Sequence, residues 1–224
     1  MDQDTRYRYA PETIIKAYSL GLFPMADSHD SPEICFYDPD RRALIPLDAS
    51  TGTGVHIPRR LRRTVRQTPF KVTFDQDFSG VISGCAAPTA DRADTWINKD
   101  IKALYIALHR MGFAHSVEVW HEDMLIGGLY GVALRAAFFG ESMFSRRTDA
   151  SKIALVHLMA RLSYGGFAFL DAQFTNDHLK QFNITEIDRA DFHQRLATAL
   201  SRDANLNLET PSPDLVTRFL AGLD

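Results

Sequence analysis

The spacing of apolar residues changes period several times along the chain, and each change predicts an element. Pro11 to Leu20 reads as a short helix, with Pro at its first turn and Gly21 as its stop. Phe23-Pro24-Met25 follows as an extended, exposed apolar corner. Ile34 to Tyr37 and Ala43 to Ile45 read as short strands around a turn at Asp38-Pro39-Asp40. Residues 58 to 67 give a basic helix and Phe70 to Phe74 a strand. Phe78 to Ala86 and Lys99 to Met111 read as helices. The second of these places Ile101, Leu104, Tyr105 and Leu108 on one face. Period two then takes over. His115 to Trp120 puts Val117 and Val119 on one face and Glu118 and Trp120 on the other. Met124 to Tyr130 and Val132 to Phe139 read as two more strands, and the glycines at 127, 128 and 131 predict a bulge or a close backbone approach. Asp149 is placed to cap a helix running to about Leu162. That helix is apolar nearly all round, so its place is inside the protein. Phe167 to Phe174 is a strand, Asp188 to Leu200 an amphipathic helix, and Asn205 to Asp224 a surface tail. This order suits an α+β fold in which a mixed sheet is crossed by one buried helix.

Composition narrows the picture modestly. At 224 residues and 45% apolar, the chain can bury a full core, as one large domain or a domain with an annex. A net charge of −3 supplies no global field for nucleic acid. The basic residues are clustered, however: Arg59, Arg60, Arg62, Arg63, Arg66 and Lys71 fall in one stretch without an acidic residue. Arg59, Arg62, Arg63 and Arg66 share a helix face by their spacing. That face is either a solvated surface or a stripe that tracks phosphates. Cys35 and Cys85 fit neither a disulfide framework nor a zinc site. The start of the chain lacks a signal-peptide pattern, and no apolar run is long enough to span a bilayer. A soluble cytoplasmic protein is expected, with no cofactor and no metal.

Two segments put polar groups inside apolar runs, where unpartnered carboxylates are costly. One is Phe139-Gly140-Glu141-Ser142-Met143-Phe144-Ser145-Arg146; the other is Leu170-Asp171-Ala172-Gln173-Phe174-Thr175-Asn176-Asp177-His178. Asp171 and Gln173 share one strand face, with Leu170, Ala172 and Phe174 on the core side. They are either ordinary solvent-facing polar residues or a carboxylate and amide able to orient and deprotonate an amine. Glu141 is either a satisfied strand-end carboxylate or part of the same site. Ser142 lacks the second glycine of a nucleophile elbow, which weighs against a serine hydrolase. His178 reads as structural. Arg146 and Lys152 flank the start of the buried helix, where amide groups attract anions; solvated loop charge is the alternative.

Eight motifs, taken together, resemble one family. They are Ala17-Tyr18-x-x-Gly21-x-Phe23-Pro24, Asp38-Pro39-x-Arg41, Thr95-Trp96-Ile97, His115-Ser116-Val117-Glu118-Val119-Trp120, Gly127-Gly128-x-Tyr130-Gly131-Val132, Gly140-Glu141-Ser142-Met143-Phe144-Ser145-Arg146, Ala150-Ser151-Lys152, and Asp171-x-Gln173-x-x-Asn176-Asp177-His178. In order and spacing, from about residue 10 to about 196, the chain resembles the leucyl/phenylalanyl-tRNA–protein transferases. The resemblance implies a GNAT-like acyltransferase domain over 59–202, a small N-terminal domain over 1–58 and a C-terminal tail over 203–224. It implies transfer of Leu or Phe from Leu-tRNA or Phe-tRNA to the N-terminal Arg or Lys of acceptor proteins, marking them for N-degron degradation. By the same resemblance Asp171 and Gln173 are the catalytic pair, Asp171 accepting the amine proton directly or through Gln173. Glu141 would hold the cationic acceptor residue. Tyr18, Met25, Trp96, Leu129, Phe138 and Leu170 would form the donor pocket, with Met25 where the family often carries Trp. Arg59, Arg62, Arg63, Arg66, Arg146 and Lys152 would grip the tRNA. The acetyl-CoA loop of GNAT enzymes is absent before the buried helix, which fits a donor other than CoA. Alternatives are transfer of Leu to N-terminal Asp or Glu, a small-molecule acyltransferase using a CoA thioester, and an RNA-binding module without turnover.

Overall fold

The computed structural model describes residues 9–47, 54–89 and 93–223. In chain order the elements are α1 (Pro11–Ser19), β1 (Phe23–Met25), β2 (Cys35–Tyr37), β3 (Arg41–Ile45), α2 (Arg59–Gln67), β4 (Lys71–Phe74), α3 (Phe78–Ala86) and α4 (Lys99–Arg110). There follow β5 (Ala114–His121), β6 (Met124–Leu134), β7 (Ala137–Ser145), α5 (Ala150–Tyr164), β8 (Phe169–Gln173), a 3-10 turn at Lys180–Phe182, β9 (Thr185–Asp188), α6 (Arg189–Leu200) and α7 (Ser212–Ala221). The sequence Thr51-Gly52-Thr53-Gly54 reads as a loop and a possible boundary; its first three residues lie outside the described residues.

A seven-stranded sheet runs in the order β4-β5-β6-β7-β8-β3-β9. Its pairs are antiparallel except β7–β8, which are parallel and joined through α5. The mixed α+β reading therefore holds. Side chains on the two sheet faces feed two cores. One gathers α2, α5 and α7 over Val117, Val119, Leu129, Phe138 and Leu170. The other gathers α1, α3, α4 and α6 over Tyr130, Val132, Phe139 and Phe169. The α5 helix is buried nearly all round, as its composition requires.

Local chemistry fixes the boundaries. Asp77, Asn98 and Asp188 cap α3, α4 and α6 by accepting the amides of Gly80, Ile101 and Asp191. Asp149 does not cap α5 with its side chain; it sits at φ 63° and pairs with Lys152. The capping oxygen is Ser145 Oγ, which accepts the Ser151 amide at 2.8 Å. The glycines of β6 do mark a bulge and close approaches. Register shifts between Tyr130 and Gly131, and a Cβ at Gly131 would stand 2.3 Å from the Phe139 carbonyl. A Cβ at Gly127 would stand 2.5 Å from Ala150 Cβ, so this glycine lets α5 start against the sheet.

Several expectations are corrected. The strand does not end at Gly131: β6 runs to Leu134, and the turn falls at Arg135, φ 55°. Phe23-Pro24-Met25 is not an exposed corner but a strand paired with β2, with Phe23 buried. The strands on either side of Asp38-Pro39-Asp40 do not pair with each other. β2 joins β1, while β3 enters the large sheet between β8 and β9. The expected surface tail contains α7, which buries Leu215, Val216, Phe219 and Leu220 on the α5 side of the sheet. Phe174 is exposed rather than core-facing, because Gln173 takes a left-handed conformation and turns the chain outward.

Candidate active site

The end of β8 carries the first half of the site. Asp171 is fully buried, and an ionised carboxylate there needs partners. Arg42 on the adjacent β3 provides them. Its Nε lies 3.0 Å from both carboxylate oxygens and its Nη2 donates to Oδ2 at 2.6 Å. Nη1 of the same guanidinium donates to the Gly21 carbonyl at 2.9 Å. The rings of Phe23 and Phe192 lie 4.7 and 4.3 Å from its Cζ. Asp171 Oδ1 also accepts the amide of Gln173 at 2.9 Å. That bond holds Gln173 at φ 57°, a conformation that costs a non-glycine residue ~1–2 kcal/mol. Burial pushes the Asp171 carboxyl up from the ordinary aspartate range, and Arg42 pulls it back. With a guanidinium at 2.6 Å, the two are held as an ion pair.

Glu141 on β7 carries the second half. Its Oε1 accepts the Tyr18 hydroxyl at 2.7 Å, and its Oε2 accepts the Tyr105 hydroxyl at 2.9 Å. The two phenol oxygens also lie in contact with each other, so two hydroxyl protons are shared over three contacts. Gln173 Nε2 stands 3.5 Å from Oε1, a long contact that links the halves. The Glu141 carboxyl is pushed up to about 7. Desolvation is the main cause; the two tyrosines lower it, Asp171 raises it and Arg42 lowers it. Burial and the Glu141 charge push Tyr18 and Tyr105 well above their ordinary value, so both stay protonated donors.

Both halves line one cavity of about 460 Å³. Glu141, Asp171 and Gln173 are at its polar side. Ile45, Leu129, Met143, Leu155, Leu158 and Leu170 supply its apolar wall, and Ser145, Ser151 and His178 also border it. His178 is exposed, and partial desolvation together with the nearby Lys152 charge lowers its pKa, which favours the neutral imidazole. Burial with few polar groups suits an apolar ligand part, oriented by the carboxylate side.

The sequence-based residues fall into four groups. Glu141, Asp171, Gln173, Leu129 and Leu170 come together around the cavity. Tyr18 reaches the site through Glu141 without lining it, and Phe138 lies wholly in the core beside Phe167. Met25 and Trp96 pack against the opposite core, not in the cavity wall. Of the basic residues, Arg59, Arg63 and Arg66 are exposed on α2, whose Leu61 and Val65 pack under them. Arg62 donates to the Leu223 carbonyl at 2.7 Å and Arg63 to Gln67 at 3.1 Å. Arg146 lies just beyond Ser145, stacked on Phe144, and Lys152 is paired with Asp149 at 2.9 Å. Arg42, Tyr105, Met143, Leu155 and Leu158 join the site without having stood out in the sequence. Arg42 has one signal: it is the last charge before an apolar strand. Among the described residues no group of three His, Cys, Asp or Glu is placed to hold a metal ion, and no helix is long and apolar enough to cross a membrane.

An apolar cavity bordered by a carboxylate of raised pKa is a layout that can hold an apolar group and exchange a proton beside it. The model of the leucyl/phenylalanyl-tRNA protein transferase family matches residues 51–197, and that of its N-terminal domain matches residues 8–40. A leucyl/phenylalanyl-tRNA–protein transferase of Hyphomonas neptunium is 54% identical over 209 residues, covering 92% of this chain and 79% of that protein. Proteins of the same name from Phenylobacterium zucineum and Rhodopseudomonas palustris are 52% and 51% identical, covering 90% and 94% of this chain and 90% of each relative. The chain belongs to the leucyl/phenylalanyl-tRNA–protein transferase family and is a transferase enzyme.

Proposed function

We propose that this enzyme moves Leu or Phe from aminoacyl-tRNA to the N-terminal Arg or Lys of acceptor proteins, marking them for the N-degron pathway. The observation that carries the reading is the cavity: an apolar wall of Leu, Ile and Met facing a carboxylate of pKa about 7. The wall takes the Leu or Phe side chain of the donor. The aminoacyl ester is already activated, so the acceptor amine attacks its carbonyl carbon directly. The new C–N bond forms as the C–O bond to the terminal ribose breaks. An N-terminal amine has an ordinary pKa near 8, within reach of a base that titrates at about 7. Glu141 takes the amine proton and returns it to the departing ribose oxygen.

Asp171 supports this role from behind. Its oxygens are occupied by Arg42 and the Gln173 amide, so its part is to fix Gln173 against the amine. This shifts the proton-accepting role from Asp171 to Glu141. Two carboxylates against one guanidinium leave the polar side net negative once Glu141 ionises, which favours an acceptor with a cationic first residue. Leu129 and Leu170 remain in the donor pocket, joined by Ile45, Met143, Leu155 and Leu158. Tyr18 acts through Glu141, and Phe138 backs the cavity from the core; Met25 and Trp96 serve the core on the other face of the sheet. The exposed Arg59, Arg63 and Arg66, with Arg62, Arg146 and Lys152, grip the acceptor arm of the tRNA. The parallel β7–β8 pair crossed by α5 supports a GNAT-like catalytic domain beginning near residue 59. The preceding N-terminal domain lends it β3, and the enzyme works in the cytoplasm.

The test mixes the purified protein with labelled Phe-tRNA and two peptides that differ only in an N-terminal Arg or Glu. Label on the Arg peptide alone is expected. Label on the Glu peptide alone would keep the chemistry and overturn the acceptor rule. Retained tRNA with label on neither would overturn the transfer reading.

A further inference from the structure

A second cleft, of about 470 Å³, opens at the edge strand β4, between that strand, α5 and the segment leading into α7. Its floor holds a cation that Asp75 faces only at longer range. Arg161 is 8% exposed, yet no carboxylate lies within ion-pair distance of it among the described residues. Its Nη1 donates to the carbonyls of Leu206 at 3.0 Å and Leu208 at 3.5 Å, and its Cζ lies 4.2 Å from the centre of the Phe74 ring. Nε is buried without a partner, and the hydrogen bonds of the guanidinium all run from Nη1. A carboxylate brought side-on to the Nε–Nη2 edge would supply the acceptor that Nε lacks. Asp75 acts on the guanidinium only from beyond ion-pair distance, so a ligand carboxylate bonded to it directly lowers the cost of its burial.

The rest of the cleft narrows the ligand. The α7 helix begins at Ser212, which lines the cleft, so its first-turn dipole also favours an anion. The Ser212 hydroxyl is hydrogen-bonded to His157 Nδ1 at 2.7 Å, and burial holds that imidazole neutral with a pKa near 4. Two carboxylates line the cleft as well. Asp75 is spent on His115 and the Ser116 amide, but exposed Glu209 makes no ion pair among the described residues. A phosphate or a nucleic-acid backbone would meet both acids. A zwitterion meets one charge of each sign. Val72, Phe74 and Leu208 complete an apolar wall.

We propose that this cleft binds a free α-amino acid with an apolar side chain. The carboxylate sits on the Arg161 edge and the α7 N-terminus, the ammonium on Glu209, and the side chain on Val72, Phe74 and Leu208. The site is separate from the catalytic cavity, although α5 contributes Leu158 to one and Arg161 to the other.

The test titrates the full-length protein calorimetrically with L-leucine, with leucinamide, which lacks the carboxylate, and with 4-methylpentanoate, which lacks the ammonium. Leucine is expected to bind, and each analogue to bind at least about tenfold more weakly for want of one charge pairing. Arg161→Met and Glu209→Lys are each expected to weaken leucine by a similar factor. Glu209 is exposed, so its substitution tests the site without disturbing the core. The proposal fails if leucine gives no heat up to about 10 mM, well above the millimolar range of weak sites. It fails equally if 4-methylpentanoate or inorganic phosphate matches leucine. Unchanged leucine affinity in the Glu209→Lys protein would assign the heat to the catalytic cavity and also overturn it.

Discussion

Asp171 and Glu141 sit on neighbouring strands in the same site, and their surroundings differ in one decisive respect. Asp171 is met by a guanidinium and a backbone amide, whereas Glu141 is met by neutral phenols. A cation matched to a carboxylate fixes its charge; a phenol satisfies the oxygens while leaving the charge cheap to remove. One strand pair thus provides an ionised anchor and a carboxyl near its titration point. On the proposed mechanism it is Glu141, the acid with neutral partners, that moves the proton.

The largest effect should follow from breaking the anchor. Arg42→Met strands a buried carboxylate and is expected to cost about 3–5 kcal/mol in urea denaturation, with transfer abolished. The double variant Arg42→Met, Asp171→Leu should regain much of that stability and none of the activity. Glu141→Gln keeps the size and most of the bonding of the side chain. It should lower kcat about 10²–10⁴-fold with near-native stability, read by single-turnover transfer to an Arg peptide. If Asp171→Asn folds normally and loses this much while Glu141→Gln does not, the two roles are exchanged.

Titration sharpens the contrast further. Glu141 has a folded pKa of about 7 against an ordinary 4.5, so the folded state binds the proton more tightly than the unfolded one. Its contribution to stability is full below 4.5 and is lost as pH rises toward 7. Glu141→Gln should flatten that segment of the pH–stability curve. Activity should run in the opposite sense, rising through about pH 7 as the base form appears. The Tyr105 bond lowers this pKa, so Tyr105→Phe should move the rising limb to higher pH. The smallest effect is expected on α2. Replacing Arg59, Arg63 and Arg66 by Ala should reduce the salt dependence of tRNA binding by roughly 0.7–0.9 in slope for each phosphate no longer neutralised. The pH limb should not move.

Elements with an uninterrupted period are legible in the sequence: α2, α3, α4 and α5 fall where the apolar spacing puts them. The structure departs from the pattern where one residue decides the path. Gly131 resembles a turn because glycine permits one, but its missing side chain makes room for the Phe138 ring and the Phe139 carbonyl, while Arg135 makes the turn. Phe174 falls on the core side of a period-two pattern that cannot register the left-handed Gln173 before it. The α7 helix is hidden by the Pro-Ser-Pro that starts it, which reads as loop. For the site, Glu141, Asp171 and Gln173 stand out as polar groups within apolar runs. Arg42 and Tyr105 do not, because their partners are 129 and 36 residues away, and no local pattern records such a pairing.

The insertion of β3 between β8 and β9 has a consequence for how the molecule is made. A ribosome releases β3 early, yet its two neighbours emerge some 125 to 145 residues later. The first segment of the chain must wait, and the wedge that completes the sheet is also the strand that delivers Arg42. A nascent or clipped chain lacking either end would expose two open strand edges, ready templates for pairing with other chains. Such a fragment would be sticky and inert, so the enzyme becomes competent only when its first and last thirds have met.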